Sequence, residues 1–200
     1  MKAVLASNNK HKLVEIKTML SDKFQDIYTL ADLNINVEIE ENGSTFEENA
    51  YIKANTIAKL TGLPAIGDDS GICVSALNGE PNIYSARYAG EPCNDKNNNT
   101  KLLSKLHALE NSGDKVDRTA YFQSVVVLCY PDGSFISGSG RTYGKIIDDY
   151  RGSNGFGYDP IFLSDELGKT FGEATMEEKN KISHRSRALK DLLGKMKNVF

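Results

Sequence analysis

Ala65-Ile66-Gly67-Asp68-Asp69-Ser70-Gly71 is the stretch on which the reading of this 200-residue chain turns. An apolar run, Leu63-Pro64-Ala65-Ile66, leads into two adjacent carboxylates, a hydroxyl and a glycine. A second β-like run, Ile72-Cys73-Val74-Ser75-Ala76-Leu77, follows. Asp, Ser and Gly suit turn backbones, so the local pattern predicts two strands joined by a tight turn. A turn needs only one such residue, however, and neighbouring carboxylates repel each other. A divalent cation removes that repulsion, and Mg²⁺ commonly takes one or two carboxylates and completes its octahedron with water and phosphate oxygens. The stretch by itself leaves both readings open, an ordinary turn and a metal-linked one.

Working outward, 40% hydrophobic residues in a chain of 200 allow a good core in a single domain, 1–200. A net charge of −3 offers no basic surface for a nucleic acid polymer, so a partner of that chemistry would be a nucleotide. Cys73, Cys93 and Cys129 are odd in number and lack C-x-x-C spacing, which argues for a reducing compartment and against structural zinc. Met1-Lys2 leads straight into Ala3-Val4-Leu5-Ala6, too short for a signal peptide, and no apolar run approaches the ~20 residues of a membrane span. The expectation is a cytoplasmic protein without membrane attachment.

Upstream of the carboxylates, Lys2 to Ala6 reads as a short buried strand. The polar loop Ser7-Asn8-Asn9-Lys10-His11-Lys12 follows, and then a helix with Leu13, Ile16 and Leu20 on one face. Ser7, Asn8 or Asn9 can cap that helix, whose N-terminus with Lys10 and Lys12 is built like an anion site; an ordinary capped helix is the alternative. The Walker A pattern is absent. Ile35, Val37 and Ile39 alternate in 32–41 and predict a strand closing on Glu40-Glu41. Thr45 with Glu48 forms a capping-box pattern over a helix at 46–60, ended by Gly62-Leu63-Pro64.

Downstream, 84–90 reads as a loop and 95–109 as a helix with Leu102, Leu103, Leu106 and Leu109 inward; Asn97 to Asn99 read as its solvated start. Residues 118–130 carry apolar side chains on both faces and predict a central strand, turning at Pro131-Asp132-Gly133 into a hairpin partner. Gly152-Ser153-Asn154-Gly155-Phe156-Gly157-Tyr158-Asp159 is a glycine-aromatic loop of a kind that lets backbone approach a ligand and gives a planar base a stacking surface. Thr175 and Glu178 form a second capping box, and Ser183 precedes a longer helix, with Lys179, His184 and Arg185 at the junction. Helices and strands alternate irregularly, which favours an α/β domain on a mixed sheet.

With these segments assigned, the whole chain resembles the inosine/xanthosine triphosphate pyrophosphatase family. Ser7-Asn8-Asn9-Lys10-His11-Lys12 resembles its [ST]-G-N-x-x-K phosphate loop, with Asn8 where glycine is common; Asn is the best substitute if that position needs a positive φ. Thr45-Phe46-Glu47-Glu48-Asn49-Ala50, Asp68-Asp69-Ser70-Gly71, Tyr84-Ser85-Ala86-Arg87-Tyr88, Gly155-Phe156-Gly157-Tyr158-Asp159-Pro160 and Ser183-His184-Arg185 match the remaining motifs in order and spacing.

The resemblance implies an elongated mixed β-sheet flanked by helices, in two lobes with a central active-site cleft, and a homodimer. It implies Mg²⁺-dependent hydrolysis of aberrant purine nucleoside triphosphates (ITP, dITP, XTP) to the monophosphate and pyrophosphate, which keeps them out of DNA and RNA. Carried over, Ser7, Asn8, Asn9, Lys10, His11, Lys12 and Lys179 hold the triphosphate and Ser70 contacts substrate. Asp69 is the general base and a metal carboxylate, with Glu40 favoured over Glu41 as its metal partner. Phe156, Gly157, Tyr158 and Asp159 read the base together with His184 and Arg185, Arg185 as a donor to the 6-oxo group that adenine lacks. A Maf-like nucleotide pyrophosphatase and a catalytically silent nucleotide-binding regulator are the alternatives. The first should lack the Phe-Gly-Tyr-Asp-Pro and Ser-His-Arg pair present here. The second does not require a base beside the metal.

Overall fold

The computed structural model describes residues 2–21, 23–113 and 115–197. Along the chain the elements are β1 (Lys2–Leu5), α1 (Lys10–Leu20), β2 (Asp26–Thr29), α2 (Phe46–Thr61), β3 (Ala65–Val74), α3 (Asp95–Asn111), β4 (Thr119–Cys129), β5 (Phe135–Ile146), β6 (Phe162–Ser164), α4 (Met176–Ile182) and α5 (His184–Met196). The strands form a six-stranded sheet in the order β2-β1-β3-β4-β5-β6. β1 runs parallel to β2 and β3, and β5 runs antiparallel to β6, so the sheet is mixed and the fold is α/β as read from the sequence.

Two compact units divide the described residues. The first draws on Met1–Asp69, Ser124–Gly140 and His184–Phe200, the second on Ser70–Gln123 and Arg141–Ser183. In the first, Ala3, Leu5 and Ile66 pack with Ile16 and Leu20 of α1 and Leu189 and Leu192 of α5. On the strands' other side Val4, Ala6 and Ala65 pack with Ile57 and Ala58 of α2. A strand buried on both faces accounts for the near-continuous apolar runs of β1 and early β3. In the second unit Leu102 and Leu106 of α3 meet Ile72, Val74 and Phe122. Phe122 and Phe171 each lie within 6 Å of Phe162, at ring separations of 4.7 and 5.1 Å.

Most helix boundaries follow their caps. Asn9 caps α1, its side chain accepting from the His11 and Lys12 N–H groups at 3.0 and 3.2 Å. Thr45 caps α2 through Glu48 N–H, but the Glu48 carboxylate turns to Ser44 instead of closing a box, and Gly62 ends the helix at φ 67°. The box at Thr175 and Glu178 is complete in both directions. Asn8 is not among the described residues with positive φ, so this loop does without the glycine common in the motif.

Four readings change. Asp68 and Asp69 lie inside one ten-residue strand, β3, and not on a turn. Partners on neighbouring elements hold this polar stretch extended against its local turn preference. Residues 36–43 form no strand: Ile35, Val37 and Ile39 do alternate toward the core, but no ladder pairs with them. The edge strand is β2 instead, four half-buried residues with too short a pattern to declare itself. The stretch 84–90, read as a loop, begins inside a 3₁₀ helix, Asn82–Arg87. Asn98 and Asn99, read as solvated, are 1% and 2% exposed.

Candidate active site

β3 places its two aspartates on opposite sides of the sheet, because successive strand side chains alternate. On the side of Gly67 and Asp69 lies α2. A Cβ on Gly67 would stand 2.1 Å from the Ala50 carbonyl oxygen, so only glycine lets the helix backbone come this close. That approach brings Lys53 of α2 to Asp69: its ammonium donates to Asp69 Oδ1 at 3.1 Å and to Glu41 Oε2 at 2.9 Å. The other oxygen, Asp69 Oδ2, is buried with no hydrogen-bond partner among the described residues. Burial pushes the Asp69 carboxyl above its ordinary pKa, against the pull of Lys53 and Lys12. Burial would lower the Lys53 ammonium, but Asp69 and Glu41 outweigh it and keep the lysine charged.

Asp68 has the opposite surroundings. Ser124 of β4 donates to its Oδ1 at 2.6 Å, Lys12 lies 2.8 Å from Oδ2, and the Arg185 guanidinium reaches both oxygens at 3.3 and 3.2 Å. Arg185 also donates to Glu15 of α1. Burial alone would raise the Asp68 carboxyl, yet Arg185 and Lys12 outweigh it and hold it far below the usual carboxylate range. The two aspartates are therefore electrostatically unlike: Asp68 is an anion that anchors cations, whereas Asp69 has a raised pKa and one oxygen without a partner among the described residues.

In the second unit the glycine-aromatic loop is pinned from several directions. Asp159 Oδ2 accepts from the Phe156 N–H at 2.9 Å and from Lys179 at 2.7 Å. A Cβ on Gly155, at φ 77°, would stand 1.9 Å from that same oxygen. The Lys179 ammonium sits 5.1 Å from the Phe156 ring centre, a cation–π contact. Tyr158 is buried, its hydroxyl donating to the Ser85 carbonyl at 2.8 Å.

The residues singled out from sequence thus fall into two sets. Ser7, Asn8, Asn9, Lys10, His11, Lys12, Glu40, Asp69, His184 and Arg185 belong to the first unit; Ser70, Phe156, Gly157, Tyr158, Asp159 and Lys179 belong to the second. Arg185 does not fit its expected role as reader of the base. It is 1% exposed, and its guanidinium is bound to two buried carboxylates. Tyr158 and Asp159 are also buried side chains, so of the four loop residues expected to read the base only Phe156 and Gly157, both half-buried, keep accessible surface. Glu40 is exposed, and it is Glu41 that shares the Lys53 ammonium with Asp69. The donors expected to be open at the start of α1 are partly taken by Asn9.

Lys53, Glu15 and Ser124 were missed from sequence. Lys53 did carry a signal: it lies on the apolar face of α2 beside Asn49, Ala50 and Ala54, and a lysine on such a face needs a buried counter-charge. Nothing local marks Glu15 or Ser124, whose partners lie 170 and 56 residues away.

Comparison with known proteins fits this geometry. A family model described as the Ham1 family matches residues 3–195. The chain is 47% identical over 194 residues to a Geobacter sulfurreducens protein named dITP/XTP pyrophosphatase, covering 96% of each. It is 45% identical over 205 residues to the dITP/XTP pyrophosphatase of Clostridium perfringens, covering 100% of this chain and 98% of the relative. Among solved structures, the Staphylococcus aureus Ham1 protein superposes with a TM-score of 0.86 at 42% identity, with 100% of both chains covered. Likeness of this degree over the full length of both partners leaves one assignment: the chain belongs to the Ham1 family.

Proposed function

We propose that this protein hydrolyses aberrant purine nucleoside triphosphates, ITP, dITP and XTP, to the monophosphate and pyrophosphate, and so clears them before they enter DNA or RNA. The observation that carries the reading is Asp69: a buried carboxylate with a raised pKa and, among the described residues, one oxygen without a partner, paired to Lys53 and within the electrostatic reach of Lys12. Relatives named dITP/XTP pyrophosphatase support the substrate class.

The reaction attacks the α-phosphorus with water, and the bond from that phosphorus to the α,β-bridging oxygen breaks. Asp69 Oδ2 accepts the proton of the attacking water, and the raised pKa makes it a better acceptor than an ordinary carboxylate. Lys12, held in place by Asp68, and the α1 N-terminus meet the phosphates. Lys53 supplies a second positive charge beside Asp69, while Lys179, buried on Asp159, supports the Phe156 loop. Ser70 contacts substrate, and His184 lies next to Arg185 as a binding residue. Phe156 and Gly157 face the base, while Tyr158, Asp159 and Arg185 act behind the surface as supports.

Mg²⁺ fits this donor set. Among the described residues no three His, Cys, Asp or Glu side chains gather as a metal cage, but Mg²⁺ commonly uses one or two carboxylates and leaves the rest to water and phosphate. Asp69 and Glu41 would hold it, Glu41 in preference to Glu40 because it is the glutamate that reaches the same ammonium as Asp69. When bound, the ion supplies charge to offset what develops on the phosphates. No described helix is long and apolar enough to cross a membrane, in keeping with a cytoplasmic enzyme. We take the 200 residues as a single pyrophosphatase domain working as a homodimer.

The point of attack is directly testable. Hydrolysis of ITP in ¹⁸O-water should place one solvent oxygen in the IMP and none in the pyrophosphate. Label in the pyrophosphate, or release of orthophosphate, would refute attack at the α-phosphorus.

A further inference from the structure

Resting on the reading of Phe156 and Gly157 as the surface that meets the base, we infer that Asp95 and Asn99 of α3 are positioning residues that set base preference by clamping Gly157. Gly157 stands at φ 61°, and both of its backbone polar groups are held by one helix. Its N–H donates to Asp95 Oδ2 at 2.7 Å, and its carbonyl accepts from Asn99 Nδ2 at 3.1 Å. Residues four apart lie on one face of a helix, so the two side chains grip the same peptide from a single rigid support.

The clamp is built, not incidental. Asn99 is 2% exposed, and its Oδ1 has no hydrogen-bond partner among the described residues, so Gly157 is the group that this buried amide serves. The helix is itself fixed one residue earlier: Asn98 Oδ1 accepts from the Ala89 N–H at 2.7 Å, and its Nδ2 donates to the Ala86 carbonyl at 2.9 Å. The asparagine run that looks like a solvated helix start thus holds two loops. On the far side of Gly157, Asp159 fixes the Phe156 N–H, so the backbone flanking the Phe156 ring is tied at both ends. A hollow of about 370 Å³, lined in part by Asp95, Asn99, Phe156 and Gly157, leaves the loop room to shift if the clamp is released. Discrimination between bases needs donors and acceptors held within tenths of an ångström, because a site achieves it by leaving the wrong partner's polar groups unpaired.

The test uses Asn99→Leu, Asp95→Ala, Asp95→Asn and Phe156→Ala, with KM and kcat measured for ITP and ATP and thermal melts alongside. Asn99→Leu and Asp95→Ala should each raise KM for ITP by roughly 5–10-fold, with kcat within about 2-fold, and narrow the ITP-over-ATP preference by a similar factor. Their double variant should lose less than the product of the two, since both act on one peptide. Asp95→Asn keeps a carbonyl oxygen for the Gly157 N–H and should recover most of the loss. Equal losses on ITP and ATP, or no change in KM, would overturn the clamp. Phe156→Ala separates this failure from failure of the underlying reading. If it raises KM for ITP while the α3 variants do not, the clamp alone falls; if it has no effect, the base-facing role of the loop falls and the clamp with it. Should Asn99→Leu not fold, the Asp95→Ala and Asp95→Asn pair decides.

Discussion

Asp69→Asn is expected to leave a folded protein that still binds nucleotide, with pyrophosphate release lower by about 10²–10⁴-fold. The amide is nearly isosteric, and it can still accept from Lys53 through its carbonyl oxygen. What it loses is basicity at the oxygen that has no partner among the described residues, together with a charge that a divalent cation would use. The same residue sets the acid side of the pH profile. Burial raises its pKa, so in the native enzyme kcat/KM should fall with decreasing pH through a value above the ordinary carboxylate range. Lys53 opposes that rise, so Lys53→Met should move the acid limb to higher pH. Steady-state rates from pH 4 to 9 on both proteins would check the sign. Wild-type turnover by a well-folded Asp69→Asn would remove the residue from the chemistry.

Asp68→Asn, one residue earlier, should do the opposite kind of damage. It neutralises the anion that faces Arg185 and Lys12 in a fully buried setting, and takes from the guanidinium the carboxylate that it shares with Lys12. Breaking a buried ion pair by removing one partner typically costs about 3–5 kcal/mol. For a chain of this length each kcal/mol shifts Tm by about 2–4 °C, so the expected drop is on the order of 10 °C. The pH dependence follows from the lowered pKa. A depressed carboxylate contributes stability above its unfolded pKa and loses it progressively as pH falls below that value. In urea melts between pH 7 and pH 3 the gap between wild type and Asp68→Asn should therefore stay constant down to about pH 4 and only begin to narrow below it, still open at pH 3 because the native carboxyl titrates far lower. A variant as stable as wild type at pH 7 would show that the network around Asp68 carries no net stability.

The contrast between these neighbours explains what the sequence could reveal. Hydrophobic runs at β1, β3 and β4 and capping residues at Asn9, Thr45 and Thr175 were legible, because each is decided by residues within a few positions. The motifs also singled out candidate residues for the site. Their arrangement was not legible. Asp-Asp-Ser-Gly has the composition of a turn, and only pairing with β1 and β4, plus an arginine 117 residues away, draws it into a strand. Arg185 looked like an exposed donor for a base because nothing near it in sequence shows Asp68 and Glu15 closing around its guanidinium. Asn99 reads as solvated for the same reason: the carbonyl it donates to, Gly157, lies 58 positions downstream. Long-range polar pairing is invisible to periodicity, and in this protein it builds most of the site.

The most direct test of the account is pyrophosphate release measured across ITP, dITP, XTP, ATP and GTP under identical conditions with Mg²⁺. The account predicts that kcat/KM for ITP, dITP and XTP exceeds that for ATP and GTP by at least about 10²-fold, with little difference between ITP and dITP, and with the monophosphate as the other product. Equal turnover of all five, or hydrolysis confined to ATP or GTP, would contradict it.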